Sequence, residues 1–101
     1  MSQPEDLLAI SPAEGGLSAS GEIDAHTAPT LAAAIDAAGP KVDLDLSGVE
    51  FVDSSGLRVL IDAHQRLADA GGGLRLTSLS EPVRRLLEIS GVSEYLGVDD
   101  G

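Results

Sequence analysis

The chain has 101 residues, a formal net charge of −11 and no cysteine. We expect residues 1–101 to form a single domain, because this length buries roughly two thirds of the unfolded surface. The absence of cysteine excludes disulfide bonds, thiolate zinc sites and a cysteine nucleophile. The negative charge opposes nonspecific binding to a polyanion. The first ten residues lack a basic segment and a long apolar run. We therefore expect a cytoplasmic protein that binds neither nucleic acid nor membranes.

The N-terminal part of the chain is predicted to form a β-hairpin. Residues 7–10 are a short apolar run typical of a strand, and residues 12–16 are typical of a turn into a second strand. The second strand alternates apolar or small residues with polar ones: Leu17, Ala19, Gly21 and Ile23 on one face, Ser18, Ser20, Glu22 and Asp24 on the other. One face of this strand is therefore expected to be buried.

A helix and a third strand are predicted to follow the hairpin. The helix begins after Thr27 and ends before residues 39–40, and its apolar side is Leu31, Ile35 and Ala38. The two strands that flank this helix should be parallel and joined by a right-handed crossover. Residues 24–27 and 53–55 should consequently share one edge of the sheet, where open α/β sheets tend to place their sites.

Residues 42–60 are the candidate functional centre. Val42, Leu44 and Leu46 alternate with Asp43, Asp45 and Ser47, which predicts a half-buried strand, and a short apolar link leads from it to Asp53. A helix is predicted over residues 54–70, because one 3.6-residue stripe contains Leu57, Leu60, Ile61, Leu67 and Ala68. Ser54 and Ser55 should therefore occupy the first helical turn, next to Asp53.

The C-terminal part contains a fourth strand and a third helix. Glycines 71–73 form a turn into a strand at residues 74–79, and we reject them as a phosphate loop, which should follow a strand and open a helix. Ser80 is expected to cap a helix with Pro82 in its first turn, Val83, Leu86 and Leu87 inside and Gly91 at its end. Residues 92–98 fit either a helical turn or a last strand. Because three strands have one polar face, we predict a mixed sheet with the helices on the opposite face.

Two readings of residues 53–56 follow from the residues themselves. Asp53 or Ser54 could simply cap the helix by accepting N–H groups. Alternatively, a serine in the first turn could carry a phosphate, which the positive end of the helix dipole tolerates. Asp53 would repel that phosphate, so we expect phosphorylation to change the surface charge more than the fold.

Enzyme chemistry is not supported by this sequence. A serine hydrolase is excluded because G-x-S-x-G is absent, His64 lies about 15 Å beyond Ser54 along the helix axis, and no third group orients His26. A phosphoaspartate receiver would need an acidic pair after the first strand and a lysine after a late strand, and neither exists. Glu22, Asp24 and Asp53 offer hard oxygen ligands, but carboxylates in so acidic a chain are usually solvated. We predict no catalytic residue, no metal and no cofactor.

Three motifs resemble one family over nearly the whole chain. They are Gly-Glu-Ile-Asp at 21–24 followed by Thr27, Asp-Ser-Ser-Gly-Leu at 53–57, and Ser-Glu-Pro-Val-Arg-Arg-Leu-Leu-Glu-Ile-Ser-Gly-Val at 80–92. In this order they resemble the STAS domain of anti-sigma factor antagonists, the SpoIIAA-like family. The resemblance implies an α/β fold with a mixed sheet of four to five strands, an N-terminal hairpin and helices mainly on one face.

The resemblance also implies a phosphorylation switch. The dephosphorylated protein would bind a serine-kinase anti-sigma factor and free the sigma factor, phosphorylation by that kinase would end the interaction, and a PP2C-type phosphatase would reset it. The acceptor maps onto Ser54, and the free protein is expected to be a monomer. The expected partner-binding residues are Glu22, Asp24, His26, Thr27, Asp53, Ser54, Ser55 and Gly56.

The sequence departs from the family pattern at its C-terminal end, and a second function is an alternative. Family members usually continue past residue 92 into a strand and a final helix, and this sequence, which ends at Gly101, is expected to lack that helix. The alternative function is a STAS adaptor subunit of a transporter or signalling scaffold, without a phosphorylation cycle.

Overall fold

Four strands, β1 (Leu8–Ala13), β2 (Gly16–Ile23), β3 (Lys41–Val52) and β4 (Gly73–Leu79), form one sheet in that order. The computed structural model describes residues 8–13, 15–92 and 96, and the strand count refers to these residues. Strand β1 is antiparallel to β2, whereas β2, β3 and β4 are parallel to one another. The prediction of a mixed sheet with an N-terminal hairpin is confirmed.

Within the described residues three helices, α1 (Ala28–Ala38), α2 (Ser54–Asp69) and α3 (Glu81–Ser90), cover one face of this sheet. The face carries Val42, Leu44 and Leu46, which are 1% exposed or less and share a single core with apolar residues of all three helices. On the opposite face Asp43 accepts a hydrogen bond from the Arg75 guanidinium at 3.0 Å. The polar face of the strands therefore leaves the helices only one side on which to bury their apolar stripes, as the sequence predicts.

Strands β1 and β3 are both longer than the sequence predicts. Strand β1 continues through Pro12, which pairs with Leu17, so residues 12 and 13, which were predicted to lie in the turn, belong to the strand. An edge strand accepts proline because one of its sides has no ladder to complete. The predicted link at residues 48–52 is part of β3, which pairs with β2 as far as Val52. Two register shifts break the alternation there, and this is why the period of two is lost from the sequence.

The buried side of α2 is rotated relative to the predicted stripe. Gly56, Leu60, Ala63 and Leu67 are buried. Leu57 and Ile61 are half-buried, and Ala68, which was expected inside, is exposed. Small residues at 56 and 63 allow the helix to approach its neighbours closely, a preference that hydrophobicity alone does not reveal. Ala38 at the end of α1 is likewise exposed rather than buried.

Helix α3 follows its prediction with two exceptions: Leu86, which was expected inside, is only half-buried, and Ser80 does not cap the helix through its side chain. Val83 and Leu87 are buried, and the helix ends at Gly91 with φ 74°, a left-handed conformation that glycine adopts without strain. Ser80 occupies the N-cap position, but its side chain makes no capping hydrogen bond. The segment 92–98, which the sequence left open, lies outside the described residues except for 92 and the fully buried Leu96.

Candidate functional site

The carboxyl ends of β2 and β3 lie side by side, as the strand-helix-strand unit requires. Ile23 pairs with Val52, and the backbone N–H of Asp53 donates to the carbonyl of Ile23 at 3.2 Å. The loop between β2 and α1 therefore lies next to the start of α2. We call this region, residues 22–27 and 53–56, the β2/β3 edge.

The loop of the β2/β3 edge is held by Asp24 and Thr27. The Asp24 carboxylate accepts hydrogen bonds from the backbone N–H groups of His26 at 2.9 Å and Thr27 at 3.0 Å. The Thr27 hydroxyl donates to the Glu22 carbonyl and accepts from the Asp24 N–H, both at 2.9 Å. These N–H donors, that of Thr27 foremost, hold the pKa of Asp24 below its ordinary value, because they favour the ionised carboxylate. The loop thus presents a fixed negative charge.

At the start of α2, one residue caps the helix and the next carries an exposed hydroxyl. Asp53 is the N-cap in extended conformation, and its carboxylate accepts from the N–H of Ser55 at 2.9 Å. Ser54 is the first helical residue and is exposed. Within the described part of the chain its hydroxyl makes no hydrogen bond. Asp53 alone therefore supplies the side-chain cap, and the Ser54 hydroxyl remains accessible from solvent.

Gly56 fixes the distance between α2 and the sheet. A Cβ atom at this position would lie 2.7 Å from Cγ2 of Ile23 and 2.7 Å from Cγ2 of Val52. Real Cβ atoms do not approach neighbours so closely, and both neighbours are β-branched side chains with restricted rotamers. The backbone of the first turn of α2 can therefore touch the sheet only because residue 56 has no side chain.

The eight residues predicted for partner binding are brought together, but they differ in exposure. His26 and Ser54 are exposed, Glu22, Asp24, Asp53 and Ser55 are half-buried, and Thr27 and Gly56 are buried. Thr27 is only 4% exposed. Buried residues cannot offer side-chain surface to another protein, so Thr27 and Gly56 act by shaping the two segments. The accessible part of the edge consists of the other six residues.

Sequence reasoning missed an open groove of about 440 Å³ beside the start of α2. It is lined by Ser54, Ser55, Leu57, Arg58, Ile61 and Asp62. It also missed Phe51, which is 47% exposed and pairs with Glu22. Because the neighbouring Ile23 and Val52 face α2, strand alternation places Phe51 on the face without helices. To predict the groove from the sequence, one would have had to know that Leu57 and Ile61 lie beside the buried side of α2 rather than within it.

Two further properties concern the described residues alone. Within residues 8–13, 15–92 and 96, no three His, Asp or Glu side chains are grouped closely enough to hold a metal ion. In the same part of the chain no helix is long and apolar enough to cross a membrane. The potential ligands Glu22, Asp24 and Asp53 thus share an edge without forming a metal-binding cluster.

Comparison with known proteins identifies the family to which this chain is similar. The family model described as "Mlab, STAS domain" matches residues 7–98. The anti-sigma-B factor antagonist of Listeria monocytogenes is 37% identical over 82 residues, which cover 77% of this chain and 72% of the relative. A crystal structure of an anti-sigma factor antagonist from Mycobacterium paratuberculosis superposes with a TM-score of 0.76 at 30% identity, covering 97% of this chain and 89% of that one.

The fold is also that of the anti-sigma factor antagonist SpoIIAA, solved in its unphosphorylated form. That structure matches with a TM-score of 0.71 at 22% identity, covering 93% of this chain and 87% of SpoIIAA. The fold and the family match together define the class, a small α/β STAS domain. The chain belongs to the STAS domain family of anti-sigma factor antagonists.

Proposed function

We propose that this protein is a cytoplasmic partner-switching antagonist controlled at Ser54. In its dephosphorylated form it binds a serine-kinase anti-sigma factor and so releases the sigma factor. The kinase then phosphorylates Ser54 and ends the interaction, and a PP2C-type phosphatase restores the binding form. Relatives named anti-sigma-B and anti-sigma F factor antagonists support a partner of this class.

The observation that carries the proposal is the accessibility of one hydroxyl at the β2/β3 edge. Ser54 is exposed, lies at the first position of α2 and has no hydrogen bond in the described part of the chain. The adjacent Ser55 is half-buried, and its N–H is held by Asp53. A kinase can therefore reach the Ser54 hydroxyl without opening the helix cap.

A phosphate on Ser54 would change an acidic contact surface. It adds about −1.5 to −2 charges near neutral pH to an edge that already carries the carboxylates of Asp24 and Asp53. An acidic or closely packed partner surface would repel this group, so binding should weaken. The first turn of a helix favours negative charge by about 0.3–1 kcal/mol. The fold should therefore survive the modification that ends binding.

The first experiment tests the acceptor residue. The protein, Ser54→Ala and Ser55→Ala are incubated with the candidate kinase and ATP, and phosphosites are mapped by mass spectrometry. We expect Ser54→Ala to abolish incorporation and Ser55→Ala to leave it measurable. Phosphate found only on Ser55 would disprove the assignment.

The second experiment tests the switch itself. Unmodified, Ser54-phosphorylated and Ser54→Asp proteins are titrated against the kinase partner, and their circular dichroism is compared. The phosphorylated form should bind more weakly with unchanged helix content. Loss of helix content would instead indicate release by local unfolding, and equal affinity would refute the switch.

The alternative is a constitutive STAS adaptor for a transporter or scaffold. A different surface favours it: a groove of about 400 Å³ on α3, lined by Glu81, Pro82, Arg85, Leu86 and Ile89. Ile89 is 76% exposed there, and single exposed apolar residues are common on protein surfaces. An adaptor that binds through α3 should lose its partner in Ile89→Ser and be insensitive to phosphate on Ser54.

A neighbouring gene for a histidine-kinase-like ATPase would favour the switch, and transporter genes would favour the adaptor.

A further inference from the structure

Arg58 is an exposed cation one turn beyond Ser54 on α2. Both residues line the groove beside the helix start. Among the described residues, ion pairs within 4.0 Å join Arg66 to Asp36, Arg75 to Asp43, and Arg85 to Glu81. Arg58 takes part in none of them, and its guanidinium forms no ion pair with a carboxylate of the described residues. Its charge is therefore available to a new anion in the groove.

The spacing of Ser54 and Arg58 suits an ion pair along the helix. Side chains at i and i+4 are neighbours on a helix surface, about 5–6 Å apart at Cβ. Long helical side chains also lean toward the N-terminus and cover the preceding turn, which places the Arg58 guanidinium on the side of Ser54. An anion N-terminal to a cation at this spacing is the more favourable order.

We propose that Arg58 binds the phosphate of phosphorylated Ser54 as an intramolecular clamp. The inference rests on the proposed function only in taking Ser54 as the modified residue. A guanidinium presents a planar fork of N–H donors that matches two phosphate oxygens. The clamp draws the phosphate over the groove and away from the Asp53 carboxylate, which still caps the helix. Arg58 thereby becomes unavailable to a partner when Ser54 is phosphorylated.

Other charged groups near this phosphate act in both directions. Asp53 at the cap and Asp24 in the neighbouring loop repel it, and Asp62 on α2 competes for Arg58 at i+4. His26 in the loop adds positive charge when it is protonated. The clamp must therefore be measured as the effect of Arg58 alone, with these groups unchanged.

The test titrates the phosphate in protein that carries phosphoserine at residue 54. Phosphoserine is introduced during translation by an expanded genetic code, so no kinase is needed, and the second phosphate pKa is followed by ³¹P NMR. We expect this pKa to be lower by about half a unit with Arg58 than in Arg58→Gln, because a neighbouring cation favours the dianion. Arg58→Lys should restore part of the shift, and high salt should reduce it.

Arg66→Gln is the matched control. It removes the same charge from the same helix, about 18 Å along the axis from Ser54 at 1.5 Å per residue, and should leave the phosphate pKa unchanged. Equal pKa values in the parent protein and Arg58→Gln would overturn the clamp, and so would equal shifts in Arg58→Gln and Arg66→Gln. If the pKa shift is found but no kinase phosphorylates Ser54, only the proposed function is contradicted. If a kinase phosphorylates Ser54 but the pKa shift is absent, only the clamp is contradicted.

Discussion

Replacing Gly56 with alanine should separate α2 from the sheet at the β2/β3 edge. The added Cβ would lie 2.7 Å from Cγ2 of both Ile23 and Val52, well inside normal contact. Ile23 is fully buried, and its neighbour Val52 packs against the same core, so neither can move without disturbing other contacts. The helix start, and Ser54 with it, must then shift outward.

The magnitude follows from two opposing effects. Alanine is favoured over glycine in a helix by up to about 1 kcal/mol, whereas overpacking a filled core costs about 1–3 kcal/mol. Because two β-branched side chains with restricted rotamers receive the new methyl group, we expect a net loss of about 1–2 kcal/mol. In a domain of this size the midpoint of thermal unfolding should fall by about 5–10 °C.

Urea unfolding of Gly56→Ala and Gly73→Ala tests this reasoning. Gly73 has no heavy atom within 4 Å of its added Cβ and does not adopt a left-handed φ, so its substitution introduces no clash. It should be neutral or slightly stabilising, since alanine restricts the unfolded chain. If Gly56→Ala were at least as stable as the parent protein, the close contact would not limit the position of α2. Equal losses in both variants would mean that glycine content, rather than the clash, determines stability.

Three further outcomes are expected. Leu60→Ala should lose about 2–5 kcal/mol in urea unfolding, because Leu60 is 1% exposed, whereas the exposed Ala68→Ser should change stability by less than about 0.5 kcal/mol; similar losses would mean that the α2 stripe is misplaced. Thr27→Val should cost about 1–3 kcal/mol, because it leaves the Glu22 carbonyl and the Asp24 N–H without their partner, and Thr27→Ser, which keeps the hydroxyl, should cost less. Asp24 has a lowered pKa, so its ionised form stabilises the fold above the unfolded-state pKa, and this contribution is lost as the pH falls through the folded-state value. Asp24→Asn should thus be less stable than the parent near pH 7, and the difference should shrink as the pH falls below the ordinary aspartate pKa of about 4; a difference independent of pH would contradict the role of the charge.

Local patterns in the sequence determined most of the secondary structure. The alternation at residues 42–47 and the helical spacing after Thr27 and Ser54 depend only on which residues face a core. The three helices and four strands predicted within the described residues are all present. The parallel arrangement of β2 and β3 followed from the helix between them. The shared edge of residues 24–27 and 53–55 was therefore predictable before any coordinates.

The sequence could not show which side chains at this edge are accessible. Thr27 was expected at a helix start and near a partner, yet its hydroxyl is buried and joins Glu22 to Asp24. The register shifts between β2 and β3 interrupt the alternation before the exposed Phe51, so no regular pattern in the sequence reveals its exposure.

The sequence by itself determined the order of the elements, the edge of the sheet that carries the motifs, and the position of Ser54 in the first turn of α2. Only the tertiary structure decided that Asp53 takes the capping role, that Gly56 is a contact with the sheet, and that Ser54 is left exposed beside Arg58. The physical reason is that periodicity reports the average environment of a face over several residues. Exposure and close packing at a single residue depend instead on neighbours from β2, β3 and the loops, which are distant in sequence.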